Sequence, residues 1–260
     1  MVPDMRFAPF VAVIAAFFAF SFSPASAITN GTPDGAGHPA VGALVASKAY
    51  SDGTWAYCTG TLISPTVFLT AAHCGQSGQR TAMVSFAIQY QLGAGVYVGR
   101  YEADPLYTDS RELHDIAVVV FSTPIPGIRP ARLPTAGMLD QLKADGTLAK
   151  SAFTPVGYGS VLPDGPDRQK FHYSDTRRRT SISFGSLTPH WLKLSEDAAK
   201  KDGGTCFGDS GGPNLLDNTN TILSVNSFVT NGRCNGVTYS FRIDTPEALS
   251  FINATIAAHT

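Results

Sequence analysis

The chain has 260 residues, 43% hydrophobic and 15% charged, with 25 glycines and 17 prolines. Nineteen basic against 20 acidic side chains leave a formal net charge of −1, which gives no electrostatic basis for binding nucleic acid or an anionic membrane surface. This composition excludes disorder and collagen and suits many short strands joined by tight turns.

At the N-terminus Arg6 precedes an uncharged run from Phe7 to Phe22, and the next charged residue is Asp34. The run leads to Ala25-Ser26-Ala27, a small-x-small ending. A positive start, an apolar stretch and such an ending describe a secretory signal peptide over residues 1–27, with cleavage leaving Ile28 as the new terminus. A membrane anchor is the rival, but 16 residues interrupted by Pro9 fall short of the roughly 20 a bilayer needs. No later stretch is long and apolar enough to span one.

Six segments then read as strands: Val41–Ala46, Thr54–Ile63, Val67–Ala71, Met83–Gln89, Val96–Tyr101 and Ile116–Phe121. Each is rich in β-branched and aromatic residues and bounded by Gly, Pro, Asp or Ser. Pro124, Pro126, Pro130 and Pro134 follow, an extended connector, because proline fixes φ and removes a ladder donor. Further strands are expected around Ala152–Tyr158, Thr180–Phe184, Ile222–Thr230 and Val237–Ile243. Between the first two lies a polar loop, Asp164–Arg179, whose Arg177-Arg178-Arg179 run reads as a solvated strand entry rather than a binding patch. Thr245 caps a closing helix with Pro246 in its first turn. Leu249, Ile252 and Ile256 give that helix an apolar docking face. The pattern predicts an all-β protein in two halves.

Export to an oxidising compartment favours pairing of the four cysteines, Cys58, Cys74, Cys206 and Cys234. Three connectivities are open to them; Cys58 with Cys74 and Cys206 with Cys234 close the shortest loops. A zinc site is disfavoured, since no CxxC or paired-histidine spacing occurs. His38, His114, His172, His190 and His259 share no ligand spacing and read as surface or packing residues. Asn30 and Asn253 open glycosylation sequons.

Amide hydrolysis at neutral pH needs an activated nucleophile, a base to take its proton, and donors for the oxyanion that forms on the carbonyl. In Gly208-Asp209-Ser210-Gly211-Gly212-Pro213 a serine stands among glycines, which permit a sharp turn and close approach of a substrate carbonyl to the amides of Gly208 and Ser210. Thr70-Ala71-Ala72-His73-Cys74 offers the base. His114-Asp115-Ile116-Ala117-Val118-Val119 offers a carboxylate at the head of an apolar strand, where it would be costly without a partner.

These three segments, in the order His73, Asp115, Ser210, resemble the signatures of the chymotrypsin-like serine proteases, an order distinct from those of subtilisins and α/β-hydrolases. Cys58-Thr59-Gly60-Thr61-Leu62-Ile63-Ser64-Pro65 through Cys74 resembles the family's histidine-bearing hairpin with its disulfide. Val156-Gly157-Tyr158-Gly159 resembles a strand of the family's second barrel, and Cys206 and Cys234 stand where the family bridges its specificity pocket. The resemblance implies two six-stranded antiparallel barrels, at about 28–122 and 135–244, a helix at about 246–258, and a catalytic cleft between the barrels. It further implies that His73 deprotonates Ser210 while Asp115 fixes the histidine tautomer, and that the partners are protein or peptide substrates acted on by a secreted monomer.

The resemblance implies no metal or organic cofactor. By it, too, Gly204, Thr205 and Phe207 line the base and one wall of the specificity pocket, and Ser227, Phe228 and Val229 the other. No carboxylate stands at Gly204, and Val229 would shorten the pocket, so an elastase-like preference for small or medium aliphatic residues is expected. Ile28 and Asp209 match the family's activation pair, in which a freed N-terminal ammonium meets the aspartate before the nucleophile. A protease-like binding protein without catalysis and a secreted esterase with the same triad are the alternatives.

Overall fold

The computed structural model describes residues 28–110, 113–160, 173–195, 198–217, 219–234 and 236–259. The expected leader over residues 1–27, His172 and much of the polar loop lie outside them.

In chain order the strands are β1 (Thr32–Pro33), β2 (Val41–Val45), β3 (Ala56–Ser64), β4 (Val67–Thr70), β5 (Thr81–Ser85), β6 (Tyr97–Ala103) and β7 (Ala117–Val120). A helix α1 (Met138–Ala144) precedes β8 (Ala152–Gly157), β9 (Arg178–Arg179), β10 (Ile182–Leu187), β11 (Trp191–Ser195), β12 (Pro213–Leu216), β13 (Ile222–Val229), β14 (Val237–Arg242) and the C-terminal helix α2 (Pro246–Ala258). Strands β2-β3-β4-β7-β6-β5 close a first antiparallel barrel. Strands β8-β10-β11-β14-β13-β12 close a second, because β12 returns to pair with β8. Closure leaves no unpaired edge on either six-stranded sheet.

The first barrel forms where the sequence places it. Val67–Thr70 and Ala117–Val120 are apolar throughout apart from Thr70, and every residue of both strands is buried. They lie side by side in register from Val67 opposite Val120 to Thr70 opposite Ala117, which fixes the segments carrying His73 and Asp115 next to each other.

The second half contains elements that the sequence patterns miss. Strand β11 buries Leu192 and Leu194 in alternation, yet it has only five residues, too few to declare a period of two. Strand β12 opens with Pro213, a residue tolerated at a strand's first position; its pairing with β8 starts one residue later, at Asn214. Helix α1 has only seven residues and follows the proline-rich connector. Tertiary contacts hold it: the Leu139 amide donates to the Asp244 carboxylate at 2.8 Å, and Leu139 is fully buried.

Helix α2 starts as expected, with the Thr245 hydroxyl accepting from the Ala248 amide and Pro246 in the first turn. Its buried residues are Ala248, Ile252 and Thr255, with Leu249 only half-buried. The docked face is therefore rotated from the Leu249–Ile252–Ile256 row, and Thr255 is accommodated because its hydroxyl donates to the Phe251 carbonyl.

The arginine run departs most from expectation. Arg177 and Arg178 are buried, at 1% and 3% exposure, and only Arg179 reaches solvent. Arg177 donates from Nε to Asp34 at 2.9 Å and from its terminal nitrogens to the carbonyls of Val41 and Gly35. Arg178 donates to the Gly31 carbonyl. Alongside, Thr32 and Pro33 pair with Arg179 and Arg178. The segment that leads into the first barrel is thus strapped to the second. A sequence reading sees three charges on a loop and cannot see that a carboxylate and several carbonyls from 140 residues earlier in the chain converge on them.

Candidate active site

His73 sits in a single helical turn, Ala72–Cys74, directly after β4. Two ties hold that turn. Cys74 is bonded to Cys58, with Cα atoms 6.2 Å apart, an ordinary disulfide separation. The Tyr101 hydroxyl lies 3.0 and 2.9 Å from the carbonyls of Ala71 and Ala72. Burial pushes the Tyr101 phenol far up, with the nearby Asp115 charge adding to it, so it remains a donor to these carbonyls.

Asp115 precedes β7 and is completely buried. His114 before it takes a positive φ of 58°, and the Ile116 amide reaches back to its carbonyl at 2.7 Å. This tight bend turns Asp115 toward His73. One carboxylate oxygen accepts from the His73 backbone amide at 2.9 Å. The other lies 2.7 Å from His73 Nδ1 and also accepts from the Ser227 hydroxyl. Three hydrogen-bond contacts thus converge on this buried carboxylate, and the one to Nδ1 leaves Nε2 as the imidazole's other face. The Asp115 side chain is sealed off, whereas that of His73 is 31% exposed.

Ser210 lies in a loop whose peptides are individually pinned. The Asp209 amide donates to the Cys206 carbonyl, Gly211 to Asn226 and Gly212 to Asp209. The carbonyl of Ser210 accepts from the Thr59 amide, and the Thr59 hydroxyl donates to the Gly208 carbonyl. The amides of Gly208 and Ser210 donate to no group among the described residues. Gly208 has a φ of +94°, a conformation open to glycine and strained for other residues. The loop is held to the barrel by a second disulfide, Cys206–Cys234.

Behind the serine, Asp209 is fully buried and accepts from the amides of Gly159 and Cys206. Burial pushes its carboxyl up to about 7, opposed by those two hydrogen bonds. Its carboxylate packs against the Gly157-Tyr158-Gly159 backbone so closely that a Cβ at Gly157 would lie 2.2 Å from it, and one at Gly159 2.5 Å. That contact explains both glycines flanking Tyr158.

His73 and Ser210 face one cleft, from which two cavities open. The first, about 380 Å³, is lined by Thr205, Cys206, Phe207, Ser227, Phe228 and Val229, with Thr230–Gly232 at one end. Gly204 is not among its lining residues; it is buried, with its amide and carbonyl paired to Thr29. Ile28 is buried as well. The second cavity, about 610 Å³, opens on the other side, toward the Cys58–Cys74 disulfide.

Ser227, read from sequence as a pocket wall, also touches Asp115. The contacts of Tyr101 and Thr59 have no signal in the sequence, which shows only the strands that carry them. His114 packs against Phe241 and lies 3.3 Å from Asp104. His38 contacts Asp34 at 2.6 Å. Cys58, Cys74 and His73 are the one grouping of potential metal donors among the described residues, and the disulfide occupies both sulfurs.

Comparison with known proteins identifies the family and the fold. The family model described as Trypsin matches residues 33–252. A protein named Trypsin from Saccharopolyspora erythraea is 28% identical over 201 residues, 70% of this chain and 78% of that protein. Serine protease 1 of Drosophila melanogaster is 30% identical over 219 residues, 80% of this chain and 77% of that protein. The solved structure of HL collagenase superposes with a TM-score of 0.65 at 22% identity, covering 84% of this chain and 94% of its own, and so shares the fold. With a family match spanning both barrels, the chain belongs to the trypsin family of serine proteases.

Proposed function

We propose that the chain is a secreted serine endopeptidase in which Ser210 attacks the scissile carbonyl, His73 takes and returns the proton, and Asp115 holds the imidazole. The hydrogen-bonded chain Ser227–Asp115–His73, opening on the cleft that Ser210 also lines, is the observation that carries this reading. The amides of Gly208 and Ser210 are the donors for the tetrahedral oxyanion. Attack forms an acyl-enzyme and expels the amine, protonated by His73; water, deprotonated by the same base, then releases the acid. Ile28, left by signal cleavage after Ala27, supplies the ammonium that neutralises Asp209 and orders this loop. Two disulfides are consistent with an oxidising destination, and no helix among the described residues is long and apolar enough to cross a membrane.

For specificity, the cavity flanked by Ser227–Val229 receives the residue before the cleaved bond. None of its lining residues is a carboxylate, so a substrate Lys or Arg would be buried without a partner at high cost. Val229 narrows it, favouring Ala, Val or Leu.

The test is a fluorophosphonate probe, mapped to its attachment site, followed by peptide-library cleavage. Wild type should be labelled on Ser210 and cleave after small aliphatic residues. Ser210→Ala should fold with both disulfides yet lose activity by several orders of magnitude. No labelling would favour a binding protein; labelling with ester but no peptide turnover would favour an esterase. A strong preference for Arg or Lys before the bond would overturn the pocket assignment.

A further inference from the structure

The 610 Å³ cavity shares His73, Phe207 and Ser210 with the specificity pocket and extends from them in the other direction. A peptide bound across Ser210 with one end in the first cavity therefore sends its other end into the second. The lining there has a distinct chemistry. Tyr50, Tyr57, Tyr173 and Phe207 supply four aromatic rings, and Asp52 supplies a carboxylate. No lysine or arginine lines it.

Two of these rings, Tyr50 and Phe207, are 47% and 43% exposed. Asp52 is held in position rather than trailing into solvent. One carboxylate oxygen accepts from the Thr54 amide at 3.0 Å and from the Thr54 hydroxyl at 2.6 Å. Burial raises the phenols of Tyr50, Tyr57 and Tyr173; Tyr173 adds to the shift of Tyr50, Tyr50 to that of Tyr57, and Asp52 to that of Tyr173. The hydroxyls and the carboxylate thus share one neighbourhood. Aromatic faces carry negative quadrupole potential and attract cations, and a guanidinium also stacks on rings and bonds a carboxylate through a fork of donors.

Resting on the endopeptidase reading, we propose that this cavity binds a cationic side chain, arginine above all, at the first or second position after the cleaved bond, through the rings of Tyr50, Tyr57, Tyr173 and Phe207 and the Asp52 carboxylate. The enzyme would then refuse a cation on one side of the scissile bond and select it on the other. Such a rule narrows its substrates to segments in which a small aliphatic residue is followed closely by a basic one.

Internally quenched peptides test this. They are identical up to the cleaved bond and carry arginine, norleucine or glutamate at the first or second position beyond it. Norleucine matches the arginine stem without its charge. Arginine should exceed norleucine in kcat/KM by about tenfold at one of the two positions, with glutamate lowest. That ratio should shrink toward one in Asp52→Asn and in Tyr50→Leu, and shrink in wild type as salt rises from 50 to 500 mM, concentrations chosen at about a twofold or greater cut in screening length. Equal rates for arginine and norleucine, or a ratio unmoved by Asp52→Asn, would overturn the proposal while leaving the protease reading intact. Absence of cleavage of every peptide would instead refute the protease reading. The cavity is then decided by fluorescence anisotropy of the same peptides, where equal affinity for arginine and norleucine refutes it.

Discussion

Retaining one residue before Ile28 should change both activity and the way stability depends on pH, and the size of the change follows from Asp209. Its carboxyl is fully buried, accepts two backbone amides and is pushed up to about 7 by burial. An ordinary aspartate titrates near 3.9, so the gap corresponds to about 4 kcal/mol. An acid whose folded pKa is raised binds its proton more tightly in the native state. The associated cost is absent below the unfolded value, develops as pH rises, and is complete above the folded value. A chain beginning Ala27-Ile28 has no ammonium on Ile28 and should lose up to about 4 kcal/mol between about pH 4 and pH 7 relative to the chain beginning at Ile28, where the ammonium offsets the buried charge. Urea denaturation of the two chains at several pH values in this window measures the difference. Asp209→Asn should flatten the slope in the longer chain, and in the shorter chain it should abolish most peptidase activity. Parallel stability curves for the two chains, or full activity with Ala27 retained, would refute the pairing and leave the oxyanion loop ordered by other means.

Other substitutions test the scaffold around the site. Arg177→Met removes the Nε contact to the buried Asp34 carboxylate, with His38 and Arg179 still beside it, and should cost about 3 kcal/mol in urea denaturation; a loss below about 1 kcal/mol would show that the strap is dispensable. Burial raises Asp34, but His38 and Arg177 outweigh it and hold the carboxyl below its ordinary value. The stability this contributes is present above the unfolded value and is lost as pH falls through the depressed one, so Asp34→Asn should flatten the acid limb of the stability profile. Gly203→Ala would place a Cβ 2.0 Å from the Thr29 carbonyl and should undock the N-terminal segment, read as lowered activity together with new susceptibility to aminopeptidase. Ser227→Ala removes one donor from Asp115 and should lower kcat about tenfold with little change in KM; an equal rise in KM would assign Ser227 to substrate binding instead.

Local order carries much of what can be read from the chain. Val67–Thr70 and Ala117–Val120 announce themselves as buried strands because nearly every residue is apolar, and the residues at their ends, His73 and Asp115, inherit their positions from those strands. The glycines about Ser210 mark a turn, and a cysteine beside His73 marks a fixed one. These signals are short-range, so they survive without any knowledge of neighbours. Strand β11, the seven-residue α1 and the entry of β12 are stabilised chiefly by partners far away in sequence, and their own residues carry too weak a period to declare them.

What the sequence by itself determined was the two-halved β architecture, the four cysteines and the three segments on which the proposed chemistry rests. What only the tertiary structure decided was which long-range partners give those segments meaning: Ser227 donating to Asp115, Tyr101 holding the turn before His73, Asp209 pressed against Gly157 and Gly159, and Arg177 with Arg178 strapping the N-terminal segment to the second barrel. A charged side chain reads as solvated until a partner is found for it, because burial of a charge is tolerated only where opposite charge and hydrogen-bond acceptors converge. That convergence is a property of three-dimensional closure, and no window along the chain contains it.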